Sequence, residues 1–154
     1  MGNTQNFMSE AQRELATQVL NRLVPIHDGL PGAGDVGVVD YLDRAGGASL
    51  PLRRVLTDVL AAVEAISQTD YAASFDSLSI DRKTGVLQQI ESTNGPDFTE
   101  LLSRTYAGYY SEPTVLDALE IDARPPQPRG YILAPFDTAI LERVRKRDQA
   151  YRDA

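Results

Sequence analysis

An all-α fold is predicted by three features of this sequence. Apolar residues recur at helical spacing through most of the chain, the breaks between those stretches carry cap residues and prolines, and no stretch sustains the period-two alternation of a strand. After residues 1–8, expected as a flexible N-terminus, Ser9 and Gln12 stand as a capping box. Leu15, Val19, Leu20 and Leu23 then share one face, which predicts a first helix ending before Pro25. The segment from Pro25 to Arg44, PIHDGLPGAGDVGVVDYLDR, is a Gly/Pro-rich turn running into an amphipathic second helix, expected from Asp35 as its cap to Ala45. There Val38, Val39 and Leu42 should face inward, Asp35, Asp40 and Asp43 outward, and Gly46-Gly47 should close the helix.

Ser49 caps a third helix with Pro51 in its first turn, where a missing backbone donor costs nothing. Leu52, Val55, Leu56, Val59, Leu60, Val63 and Ile66 form the clearest apolar stripe of the sequence, which marks this as the core helix. In the turn-rich stretch TDYAASFDSLS, Tyr71, Phe75 and Leu78 are spaced to pack on one side. Ser79 caps a fourth helix to Ser92 with Ile80, Val86, Leu87 and Ile90 inward. Asn94-Gly95-Pro96 ends that helix and starts a fifth, whose inward residues are expected to be Phe98, Leu101, Leu102, Thr105 and Tyr106, with fraying at Gly108. Glu112-Pro113 opens a short helix through Leu119. The predicted architecture is thus a compact bundle of six to seven helices: residues 9–120 as the helical domain, 121–136 as a Pro-rich extended arm, and 137–154 as a C-terminal helix. In that arm four prolines fall within fifteen positions, among Tyr131, Ile132 and Leu133, so stiffness and exposed apolar side chains are expected together.

Composition narrows the function. With 154 residues the chain is one domain in size and can bury a core. Fifteen basic against twenty-two acidic residues leave a charge of −7 and no basic face to track phosphates, which argues against nucleic-acid binding. The cluster Arg143, Arg145, Lys146 and Arg147 fits a solvated helix face near a C-terminus. No apolar run is long enough for a membrane span. The start MGNTQNFMSEAQRELATQ lacks the charged and apolar regions of a leader, and Asn6 breaks the myristoylation pattern, so a cytoplasmic location is expected. There is no cysteine and one histidine, His27, which removes thiolate chemistry, iron–sulfur ligation and C-x-x-C-H haem attachment. A zinc site would have to lean on carboxylates around one imidazole.

Gly32 to Gly37, GAGDVG, matches the G-x-G-x-x-G pattern, but that motif needs a buried strand feeding its first glycine. Pro25 and Pro31 precede it instead, so the glycines are assigned to tight turns rather than to a dinucleotide. His27-Asp28 is the one pairing suggestive of a general base, and no marked nucleophile lies near it. A turn histidine bonded to backbone is the competing role. Asp40 and Asp43, three residues apart, suit a wet helix face better than a metal. Tyr106, Tyr109 and Tyr110 cannot all point inward; Tyr106 is assigned to the core, and Tyr109 or Tyr110 either contributes to a protein contact or closes over the core.

Taken together, LVPIHDGLPGAGDVGVVDYLDR, the Phe75-x-x-Leu78-Ser79 step followed by DRKTGVL, Phe98-x-x-Leu101-Leu102, and TYAGYYSEP ending at Pro113 resemble the gluconate 2-dehydrogenase subunit 3 family. PRGYILAPFD, Pro128 to Asp137, agrees more loosely, and the similarity covers most of residues 15–137. The resemblance implies a helical, non-catalytic small subunit that binds a large FAD-dependent sugar or alcohol dehydrogenase chain of the glucose–methanol–choline type and supports its folding, solubility or export. It implies no cofactor in this chain, with FAD in the partner. Many such proteins resemble twin-arginine exported ones, a feature this N-terminus lacks, so a cytoplasmic complex is what the resemblance leaves. The partner-binding residues expected are Tyr109, Tyr110, Pro113, Tyr131, Ile132, Leu133 and Phe136, those of the arm either lying extended along the partner or folding back on their own helices. Two rivals remain: a stand-alone small-ligand module with a pocket between helices, and an autonomous enzyme built on His27.

Overall fold

The computed structural model of the chain describes residues 6–120. Residues 121–136 and 137–154, and with them Tyr131, Ile132, Leu133 and Phe136, lie outside the described residues. Six helices follow one another: α1 (Glu10–Leu23), α2 (Val38–Ala48), α3 (Leu50–Tyr71), α4 (Ile80–Thr93), α5 (Gly95–Tyr109) and α6 (Pro113–Ala118). Single 3₁₀ turns, Ala33–Asp35 and Phe75–Ser77, punctuate the connections, and among the described residues there is no strand.

The starts of the helices obey local chemistry. Ser9 Oγ accepts from Gln12 N at 3.3 Å while Gln12 Oε1 accepts from Ser9 N at 2.9 Å, the reciprocal box the sequence predicts. Ser49 and Ser79 cap α3 and α4 by accepting from Leu52 N and Arg82 N. Asn94 alone separates α4 from α5: its N–H donates to Ile90 O and its carbonyl accepts from Phe98 N.

The long α3 is the hub, packing against α2, α4 and α5. Its Leu52, Leu56, Val59, Leu60 and Val63 are buried, each worth about 1.5–3 kcal/mol of apolar transfer. Val55 and Ile66, at the borders of the stripe, are half-buried. Val19 and Leu20 of α1, Val38 and Leu42 of α2, Val86 and Ile90 of α4, and Leu101 of α5 complete the core.

Packing moved several features from where the sequence puts them. The second helix begins at Val38, not Asp35, and continues through Gly46-Gly47 to Ala48. Gly46 makes room rather than ending the helix: a Cβ there would meet the Phe7 ring, with Cδ1 only 2.9 Å away. The helix end is held by Arg53, whose Nε and Nη2 donate to the carbonyls of Gly46 and Gly47 at 3.2 and 3.1 Å. Asp43 is fully buried instead of outward. Its Oδ1 accepts from Phe7 N at 2.7 Å and Met8 N at 3.0 Å, and its Oδ2 from Arg13 Nη1 at 2.6 Å, while the same guanidinium also pairs with Asp40. Ile80, expected inward, is exposed at the first position of α4, and Leu78 just before the helix is buried in its place. Finally, α5 does not fray at Gly108 but runs to Tyr109, which brings the tyrosine cluster into ordered structure.

Candidate functional site

Helix α1 ends at Leu23, and Pro25 forbids its continuation. The chain then reverses over His27-Asp28-Gly29-Leu30. His27 N donates to Leu30 O at 3.1 Å, and Leu30 N to His27 O at 2.8 Å. Asp28 and Gly29 both take positive φ, 46° and 81°, the backbone of a type I′ turn, and Asp-Gly is among the residue pairs that favour it. The turn lifts Ile26 into solvent, where it is 75% exposed.

The next residues fold back onto α1. Asn21 Oδ1 accepts from Gly34 N at 2.7 Å, Asn21 Nδ2 donates to Asp35 Oδ1 at 2.9 Å, and Ala33 N donates to Val24 O at 3.0 Å. A Cβ on Gly34 would collide with the Thr17 carbonyl oxygen. Gly32 and Gly34 therefore serve close approach to α1, Gly37 lies against the Glu112 side chain, and the Gly34 amide that a pyrophosphate would use already donates to Asn21. Asp35 sits in the 3₁₀ turn as a partner of Asn21, not as a helix cap.

Helix α5 closes the other side. The inward tyrosine is Tyr109, not Tyr106: Phe98, Leu101, Thr105, Gly108 and Tyr109 follow the buried face, and Tyr106 falls one step off it. Tyr109 is 2% exposed and its hydroxyl donates to Pro31 O at 2.7 Å, tying α5 to the turn segment. Burial, and secondarily the charge of Tyr110, raises the Tyr109 pKa above the ordinary tyrosine value. Of the two tyrosines expected to supply a contact, Tyr110 is outside, 53% exposed, and Tyr109 closes on the chain's own core. Tyr110 stacks on Tyr106, itself 41% exposed, with ring centroids 6.2 Å apart, and meets Tyr109 edge-on at 5.3 Å. Pro113 is exposed at the start of α6.

The result is one apolar surface built from two segments about eighty residues apart in sequence. A shallow groove of about 310 Å³ runs through it, lined by Leu23, Val24, Pro25, Leu30 and the tyrosines, with His27 at its edge. His27 Nε2 lies 2.9 Å from Asp28 Oδ2, both side chains largely exposed. The tyrosines were legible in the sequence, whereas Leu30 of the groove and Ile26, exposed across the turn from it, were not. Their signal was an apolar residue on each side of an exposed HDG turn.

By fold and surface, the described residues form a small helical bundle with an exposed apolar face. Among them no group of three or more His, Asp or Glu side chains is placed to hold a metal, and no helix is long and apolar enough to cross a membrane. The chain belongs to the gluconate 2-dehydrogenase subunit 3 family, whose model matches residues 10–121 and so spans α1 through α6. No curated protein and no solved structure matches it.

Proposed function

We propose that this chain is the non-catalytic small subunit of a dehydrogenase complex, and that it binds and stabilises a large FAD-containing sugar or alcohol dehydrogenase chain. Membership of a dehydrogenase-subunit family supports the first half of this reading. The observation that carries the second half is the apolar groove lined by Leu23, Leu30, Tyr106 and Tyr110, with both of those tyrosines left partly to solvent beside an ordered core. Tyrosines of this kind, with a rigid ring and a polar end, are the residues that anchor protein contacts. The flavin is assigned to the partner because the glycine turn in this chain is engaged by Asn21 and Thr17.

Co-expression with a flavin-dependent sugar or alcohol dehydrogenase chain from the same organism tests the proposal. The two chains are expected to purify together, with more soluble, flavin-loaded dehydrogenase than is obtained without this chain. A large chain that is fully soluble and active alone, and that leaves this one behind on purification, would sink it.

A further inference from the structure

The two segments that build the exposed face have a charge pattern of their own. Residues 23–43 and residues 105–120 contain no Lys or Arg, while acidic residues recur in both. Asp40 and Asp43 are paired with Arg13. Asp28, Asp35, Glu112, Asp117 and Glu120 have no Lys or Arg partner among the described residues. Asp28 stands between Ile26 and Leu30, and Glu112 two residues beyond Tyr110. The charges these two segments carry are thus acidic, with Asp28 next to His27 of the groove and Glu112 in the turn that follows Tyr110.

We infer that this face docks an apolar patch rimmed by lysine and arginine on the dehydrogenase chain, and does not pair with a second copy of itself; the inference rests on the accessory-subunit reading above. A two-fold contact places the same surface on both sides, so self-association would bring one acidic rim against another. Like charges set opposite each other across an interface disfavour that pairing, whereas a basic rim on a different chain is attracted from a distance and aligned. The exposed faces of Tyr106 and Tyr110 add affinity for an arginine guanidinium laid over them. Apolar anchors in the middle govern how long the complex lasts, and the rim governs how fast it forms.

The experiment measures binding of the purified chain to the purified, flavin-loaded dehydrogenase chain at ionic strengths of about 0.1 M and about 1 M, where the screening length falls from about 10 Å to about 3 Å. The association rate is expected to drop about tenfold or more with salt. It should also drop at low salt in an Asp28→Asn/Glu112→Gln variant, which keeps the side-chain shapes and the positive φ at Asp28. Tyr110→Ala, at an exposed position, should instead speed dissociation about tenfold or more. A complex that forms at a salt-independent rate and ignores all three substitutions would overturn the docking inference and leave the subunit reading intact. Concentration-dependent dimerisation of the chain alone that Tyr110→Ala abolishes would overturn it in favour of a second copy. Absence of any complex would overturn both.

Discussion

Tyr109 and Asp43 show how much single residues decide here. Removing the Tyr109 hydroxyl leaves Pro31 O without its donor, so Tyr109→Phe should lower stability by about 1 kcal/mol, read as a shifted denaturant midpoint at unchanged slope. The same substitution has a pH signature. Because burial raises the Tyr109 pKa in the folded chain, the unfolded chain loses this proton first, near about pH 10. Its contribution is fully present below that pH and is lost as pH rises from there through the folded value. Tyr109→Phe should therefore flatten the alkaline decline in stability, and an unchanged alkaline limb would refute the assignment. Asp43→Ala strips the acceptor from two backbone N–H groups and from Arg13, and should cost about 3 kcal/mol in denaturant unfolding. Neither role was legible in the sequence. A helical wheel places Asp43 as readily at a wet border as inside, and only Phe7, Met8 and Arg13, some thirty residues earlier, supply the partners that make its burial tolerable.

At the scale of elements, local chemistry was readable at the serine caps and the prolines, though not at Asp35, which the fold uses as a partner of Asn21 instead of a helix cap. Ser9, Ser49 and Ser79 accept the first-turn amides of α1, α3 and α4 as their positions predict. The reading failed at glycines, which carry the same letter whether they end a helix, turn the chain or admit a neighbour. Gly46 admits Phe7 and Gly34 admits the backbone of α1, and both facts belong to the partner element. Gly34→Ala should thus cost about 1–3 kcal/mol through displacement of the turn. By contrast Gly95, at the start of α5, has open space at its Cβ position and no positive φ. Gly95→Ala should stabilise by about 0.4–1 kcal/mol through a less flexible unfolded chain. Thermal unfolding of the two variants side by side checks both signs. Equal losses would mean that Gly34 is not selected for closeness to α1.

For the whole molecule, the exposed face separates stability from association. Tyr110→Ala should leave the free energy of unfolding within about 0.5 kcal/mol of wild type, since about half of the side chain is solvated. It should nevertheless weaken co-purification with the dehydrogenase chain. A large stability loss with unchanged co-purification would return Tyr110 to the core. The all-α class, the order of the six helices among the described residues, α3 as their hub and the family were all readable from the sequence, because periodicity, caps and motifs are properties of neighbouring residues. Tertiary structure alone decided that the HDGL turn and the end of α5 meet, that Tyr109 rather than Tyr106 turns inward, and that Asp43 is buried. Those outcomes depend on which distant surfaces come together, and that is settled by packing across the fold rather than by the order of residues along one helix.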